Sequence, residues 1–366
     1  CTSYYTLEFV DNTSIGIISQ RIIFENISLY NKQTKEIELN ISNLGYARAF
    51  DVNVKLIENN NFTIIPNSTY IKILKAKDVE ILKVNASAIG LYAGNYSITF
   101  NISWLNLNSN ISFNLSKIIF EVLPIHLLDA EYKEVLIRNN ELKEFDFKIY
   151  AIGNVHEENV SVECIYNCEL FNISIINPKI DLIELGKYKA VNISAFVPKT
   201  LETGVYNVTF KIYNNYTTLL HNISIRVPIN LTWMQEPEKF ETKLVHNSSG
   251  LLTEIKIKNE GNLKIVLNLT IINYNLTKLI FEDGKTSKFV EVEIGETKHI
   301  PIYYIAPRLN KTQIHYSKIV SFNYSSVAGK QEKETFVNLT IYPLDVDIIE
   351  PTEKNPIINV TENTTI

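Results

Sequence analysis

The sequence has little cysteine, methionine or tryptophan: three, one and two residues in a chain of 366. Three cysteines are too few for a disulfide-built scaffold, so any fold has to be held by a hydrophobic core. No window approaches the roughly 18 consecutive apolar residues that cross a bilayer. No run of five or more Lys and Arg occurs, and the formal net charge is -5, which argues against nucleic-acid binding by a basic face. The G-x-S-x-G, H-E-x-x-H, Walker and dinucleotide fingerprints are all absent, and no enzyme activity is expected. "HEEN" at His156 lacks a second histidine one helical turn later. The scarcity of Met and Trp, beside heavy use of Asn, Ile, Lys, Tyr and Phe, also fits a bias toward AT-rich codons.

What is present is 45% hydrophobic and 20% charged, the balance of a globular chain rather than a disordered or collagen-like one. The length suggests two to four domains at roughly 100 to 200 residues each. Three segments align on a glycine: "NISNLGYARAFDVNVKL", "KIYAIGNVHEENVSVEC" and "KIKNEGNLKIVLNLTII". Gly45, Gly153 and Gly261 are 108 residues apart each time. Further landmarks recur in order. Gly186 and Gly295 precede strand-like runs ending at Pro198 and Pro307, and a G-x-Y step recurs at Gly94 and Gly204, with the third copy departing at "NKTQIHYSKIVSF". Pro124, Pro228 and Pro343 lie between extended runs, where a residue without an N–H ends one sheet naturally.

Within each copy the apolar residues alternate, as in "EIELNIS", "NVSVECI" and "NVTFKIY", and no helical period of a dozen residues occurs. Short strands with frequent turns in units near 100 residues predict an all-β chain of tandem Ig-like antiparallel β-sandwiches. The expected organisation is an N-terminal extension over 1–19, Ig-like domains over 20–123, 124–228 and 229–343, and over 344–366 the start of a fourth unit or an exchanged terminal strand. The three repeat glycines read as the turn after an early strand, where glycine can take positive φ. "FEDGKTS" around Asp283 and Gly284 reads as a hairpin turn.

This ordered pattern resembles the Ig-like modules called CARDB, the cell-adhesion-related domain, repeated in archaeal and bacterial surface proteins. The resemblance covers most of residues 20 to 343. It implies a surface or secreted location and a structural or adhesive role, and supplies no catalytic residues.

The Asn-x-Ser/Thr acceptor sequence for N-glycosylation occurs at Asn12, Asn26, Asn40, Asn61, Asn67, Asn85, Asn95, Asn101, Asn110, Asn114, Asn159, Asn172 and Asn192. It continues at Asn207, Asn215, Asn222, Asn230, Asn247, Asn268, Asn275, Asn310, Asn323, Asn338, Asn359 and Asn363. Random placement predicts about 6 such sites. Strand alternation, which sets polar residues two apart, raises that to about 12. The excess points to dense glycosylation, with plain polar strand faces as the alternative. In "NIS" or "NVT" the Asn and hydroxyl share the solvated face while the middle residue enters the core.

Cys164 and Cys168 can bond only if "CIYNC" turns, which Asn167 allows. Two buried thiols are the alternative. Cys1 is a candidate for a lipid or intermolecular link, or an unpaired terminus. Asp345 and Asp347 read as a solvated face before a cation site. Trp104 and Trp233 read either as core or as a sugar-binding platform. No metal or other cofactor is expected beyond covalent N-glycans.

The reading is a non-enzymatic, extracellular cell-surface glycoprotein, archaeal in source, serving as a stalk, lattice or filament component joined by strand addition. Its partners would be further copies of itself or other surface proteins, with no nucleic acid, and a membrane only through an anchor not visible in the chain. The alternatives are a module binding sugar or protein, or the noncatalytic part of a larger secreted enzyme.

Overall fold

The computed structural model describes residues 12–18, 20–57, 59–323 and 331–344. Among them the secondary structure consists of strands, turns and bends without a helix. The chain is all-β, as the alternation of apolar and polar residues predicts.

The strands fall into three successive sets of nine. The first is β1 (Ile15–Ile17), β2 (Arg21–Phe24), β3 (Gln33–Asn43), β4 (Ala49–Leu56), β5 (Thr63–Ile65), β6 (Ser68–Leu74), β7 (Val79–Ala88), β8 (Gly94–Leu105) and β9 (Ile111–Val122). The second is β10 (Leu128–Ala130), β11 (Lys133–Leu136), β12 (Glu141–Ala151), β13 (Glu157–Tyr166), β14 (Ser174–Ile175), β15 (Lys179–Ile183), β16 (Tyr188–Val197), β17 (Gly204–Tyr213) and β18 (Thr218–Val227). The third is β19 (Trp233–Glu236), β20 (Lys239–Val245), β21 (Ser249–Asn259), β22 (Ile265–Asn273), β23 (Lys278–Ile280), β24 (Ser287–Val292), β25 (Thr297–Ile305), β26 (Gln313–Asn323) and β27 (Glu332–Tyr342).

Each set makes a four-stranded and a five-stranded sheet in one topology. The orders are β1-β3-β7-β5 with β2-β9-β8-β4-β6, β10-β12-β16-β14 with β11-β18-β17-β13-β15, and β19-β21-β25-β23 with β20-β27-β26-β22-β24. β2 runs parallel to β9 and β20 to β27, whereas pairs such as β3 with β7 and β21 with β25 are antiparallel. These are tandem Ig-like sandwiches. β1 pairs Ile15 with Asn43 and Ile17 with Ile41. Residues 15–17 thus belong to the first sandwich, a correction to the extension drawn over 1–19.

Contact density divides the chain into two compact units. One is Cys1–Val135, Lys143–Ala195 and Asn207–Ser224, and the other is Leu136–Leu142, Phe196–Tyr206 and Ile225–Ile366.

The cores are made where inward positions of facing sheets meet. In the first sandwich Phe24, Phe62 and Phe120 form a ring cluster with centroids 4.9 to 5.6 Å apart. In the second, Phe147 of β12 meets Phe210 of β17 at 5.6 Å. The third is aliphatic around Leu267, Leu269, Ile302 and Leu339, with Trp233 and Phe281 added. Both tryptophans are core residues: Trp104 Nε1 donates to Thr13 Oγ1 and Trp233 Nε1 to Ser321 Oγ. That excludes the aromatic-platform reading for these two residues.

The repeat glycines are required for a reason the sequence reading missed. None of the three has positive φ. Instead, a Cβ on Gly45, Gly153 or Gly261 would lie 2.0 to 2.2 Å from the backbone oxygen of Asn12, Ile125 or Asn230. Only glycine lets the incoming chain come so close. In the first and third copies a buried Asn two residues earlier shapes the turn. Asn43 Oδ1 and Asn259 Oδ1 accept the N–H of Gly45 and Gly261, and both side chains donate to two carbonyls. The second copy has Ala151 at that place.

The G-x-Y step is a tyrosine corner. Tyr96 Oη donates to Tyr92 O at 2.8 Å and Tyr206 Oη to Glu202 O at 2.9 Å. Burial raises both phenol pKa values. The turn at Gly284 (φ 76°) is closed by bonds between Phe281 and both Gly284 and Lys285. It joins β23 to β24, which lie in different sheets, so it is not the hairpin expected.

Candidate functional site: the sequon-bearing surface

Of the 25 sequon asparagines, Asn359 and Asn363 lie outside the described residues, as do Cys1, Asp345 and Asp347. Among the remaining 23, Asn40, Asn268 and Asn338 are half-buried, Asn323 is buried, and the other 19 are exposed. Asn323 is 6% exposed, so its carboxamide does not reach solvent in the folded chain.

The expected geometry is realised in most strand sequons. Ile41, Ile102, Val160, Ile193, Val208, Ile223, Leu269 and Leu339 are each the middle residue of a sequon and are all buried. Strand pairing sets some sequons against each other. Asn207 Oδ1 accepts from Ser224 Oγ at 2.9 Å, while Thr209 Oγ1 donates to Asn222 Oδ1 at 2.8 Å. In this double pair the bonds fall on the amide oxygens rather than on Nδ2, the atom that carries an N-linked sugar. Elsewhere Nδ2 itself is engaged: Asn114 donates to Ile15 O at 2.8 Å and Asn338 to Glu241 Oε1 at 2.9 Å.

One stretch departs from the pattern. In "NISFNLS", residues 110–116, Ser116 is turned inward and Ile111, Phe113 and Leu115 are 75%, 76% and 58% exposed. The phase of β9 is set by Ile118, Phe120 and Val122, which are buried, so the residues five, seven and nine before Phe120 face out. The sequons Asn110 and Asn114 thus sit on the core side of the strand, beyond the end of the core. Leu115 lies directly opposite Asn101 and Phe113 opposite Ser103.

The "CIYNC" stretch turns as required. Asn167 has φ 57°, its Nδ2 donates to Asn207 O, and Cys164 and Cys168 are bonded with Cα atoms 5.8 Å apart. The turn follows a register shift between Cys164 and Tyr166 at the end of β13.

The buried titratable groups among the described residues make local contacts. Glu157 is fully buried, with Oε2 accepting from Asn214 Nδ2 at 2.7 Å and 3.1 Å from His126 Nδ1, whose ring stacks on Tyr216. This cluster packs a sandwich end. His156 Nδ1 accepts the Leu185 N–H. Burial pushes the His221 and His315 rings below the ordinary histidine pKa. Among the described residues no group of three or more His, Cys, Asp or Glu could hold a metal ion, and no helix is long and apolar enough to cross a membrane.

No family model matches the chain. An uncharacterized protein of Methanocaldococcus jannaschii is 31% identical over 136 residues, which is 33% of this chain and 31% of that protein. The match therefore spans about a third of the relative's length. Among solved structures, human CDH23 domains EC21–23 align over 88% of this chain and 98% of theirs, with 10% identity and a TM-score of 0.39. The protocadherin gamma B2 extracellular cadherin domains 1–5 align over 92% and 61%, with 9% identity and a TM-score of 0.39. Titin domains I67–I69 align over 91% and 99% at a TM-score of 0.29.

Proposed function

We propose that this chain is a non-enzymatic, N-glycosylated part of an extracellular cell-surface protein, with a structural or adhesive role. The observation that carries the reading is the coincidence of a sequon excess with exposure: 19 of the 23 described acceptor asparagines face solvent. The sandwiches correspond to domains ending near Pro124, Pro228 and Pro343, of the CARDB-like kind, in a protein of archaeal source. Glycans on the strand faces would keep a β-rich surface from sticking to its neighbours. Its partners are further copies of itself or other surface proteins, as in a filament, lattice or stalk. The decisive experiment is intact-mass measurement and negative-stain imaging of the native protein sheared from cells. A mass well above the 42.0 kDa polypeptide, with regular assemblies or beaded rods in the images, is expected. A bare polypeptide mass would remove the glycoprotein reading, and isolated compact particles would remove the structural one.

A further inference from the structure

The G-N dipeptide at Gly153-Asn154 recurs at Gly261-Asn262, and both asparagines are almost wholly buried, at 1% and 0% exposure. Their side chains do the same thing. Asn154 Oδ1 accepts the Ile125 N–H at 2.7 Å and its Nδ2 donates to Leu123 O at 2.8 Å. Asn262 Oδ1 accepts the Asn230 N–H at 2.7 Å and its Nδ2 donates to Pro228 O at 2.8 Å. Each carboxamide thus holds the chain on both sides of one linker residue, Pro124 or Ile229. Few other side chains can do this, because it needs one donor and one acceptor on a single short plane.

The backbone of the same asparagine receives the preceding sandwich. Ala93 N–H donates to Asn154 O at 3.0 Å, and Thr203 N–H to Asn262 O at 3.1 Å. Both donors lie in the loop held by a tyrosine corner. A second loop of the preceding sandwich, after its second strand, adds a further bond. Leu29 N–H reaches Gly153 O at 3.1 Å, and Asn139 Oδ1 accepts from Asn262 Nδ2 at 2.6 Å. Two joints, one within each compact unit, are therefore built from corresponding parts.

We propose that Asn154 and Asn262 are joint residues, each docking its own sandwich onto the end of the one before it through a surface made of the G-N turn, the linker and the tyrosine-corner loop. The partner this surface fits is the loop end of another repeat of the same build. The inference is independent of glycosylation. At the corresponding turn of the first sandwich stands Tyr46, which keeps the backbone bond to Asn12 O but has no carboxamide to hold a linker.

The test is residue-resolved amide exchange on the whole chain. In the unaltered protein the Ala93 and Thr203 amides are protected, and exchange at the rate of an unstructured peptide at these two positions overturns the proposal without any variant. Asn154→Ala should speed exchange about tenfold or more at Ala93 and Ile125 and leave Thr203 and Asn230 unchanged, with Asn262→Ala giving the converse. Asn154→Asp, which keeps the acceptor for Ile125 and sets a charge against Leu123 O, should release Ala93 as well. Unchanged Ala93 exchange in both Asn154 variants, or acceleration spread through the strands of the second sandwich, would reduce Asn154 to a stabiliser of its own fold and overturn the joint.

Discussion

The first sandwich (12–122) and the third (230–342) share one strand order but solvate their outer faces differently. Ten sequons fall in the first and seven in the third. Contacts between basic and acidic side chains run the other way, three in the first and nine in the third among the described residues. The four-stranded sheets make the difference plain. In the first, β3 carries Asn40 and β7 carries Asn85 beside a Lys83 that reaches Glu36 and Glu38, whereas the corresponding sheet of the third has no sequon in its strands and pairs Lys256 with Glu236 and His299 with Glu254. The lesson is that inward positions fix this fold, and outward ones are free to be neutral amides or charge ladders.

The largest effect should ignore that difference. Gly45→Ala and Gly261→Ala each push a Cβ into a backbone oxygen, so each should destabilise its sandwich by about 3 kcal/mol in denaturant unfolding. If one were tolerated and the other not, the two sandwiches would not share a frame. The second sandwich supplies a reference: replacing Cys164 and Cys168 by Ala removes a very short loop closure, worth about 2 kcal/mol. Exchange in the first and third sandwiches should be unaffected.

Acid should separate the two. All six histidines follow residue 125, so the first sandwich has none, while the third holds His315 buried against Thr277. Burial lowers the folded-state pKa of His315, so its neutral form is stabilising above the unfolded value of about 6.5 and that stability fades as pH falls below it. Amide protection in the third sandwich, taken relative to the intrinsic exchange rate at each pH, should therefore fall between pH 7 and 5 while that of the first holds steady. Below about pH 4.5 the third should weaken further, because Lys239 and Lys264 depress the pKa of Glu241 and Glu291 and those attractions are lost on protonation. Equal acid response in both would contradict the assignment. Salt should give the smallest effect: 1 M sodium chloride screens exposed pairs such as Lys264 with Glu291 and Glu293, loosening the third sandwich slightly more than the first, which has fewer such pairs.

Much of this was legible in the sequence because it depends on local periods. Alternation of two gives the strands, and the spacing of 108 gives the repeat. The landmarks G-x-Y and N-x-G or G-N were visible too, but their reasons are tertiary. Nothing local to Gly45 or Gly153 says that a carbonyl from the incoming chain will lie against it. The buried roles of Asn154 and Asn262 had only one signal, their recurrence after the repeat glycine. Sequon geometry was readable where the middle residue is an inward strand position, as at Ile102 or Ile193. It failed at 110–116 because β9 runs past its core and its phase is set downstream, by Ile118 and Phe120. Asn323 also departs from the exposed pattern, lying at the buried end of β26.

The most direct test of the central claim is site-by-site glycopeptide mapping of the native protein by mass spectrometry. The account predicts sugar on exposed asparagines such as Asn85, Asn101, Asn192 and Asn222, none on Asn323, and reduced occupancy at Asn114 and Asn338, whose Nδ2 is engaged. Bare peptides at the exposed sites, or an occupancy that takes no account of exposure, would contradict it.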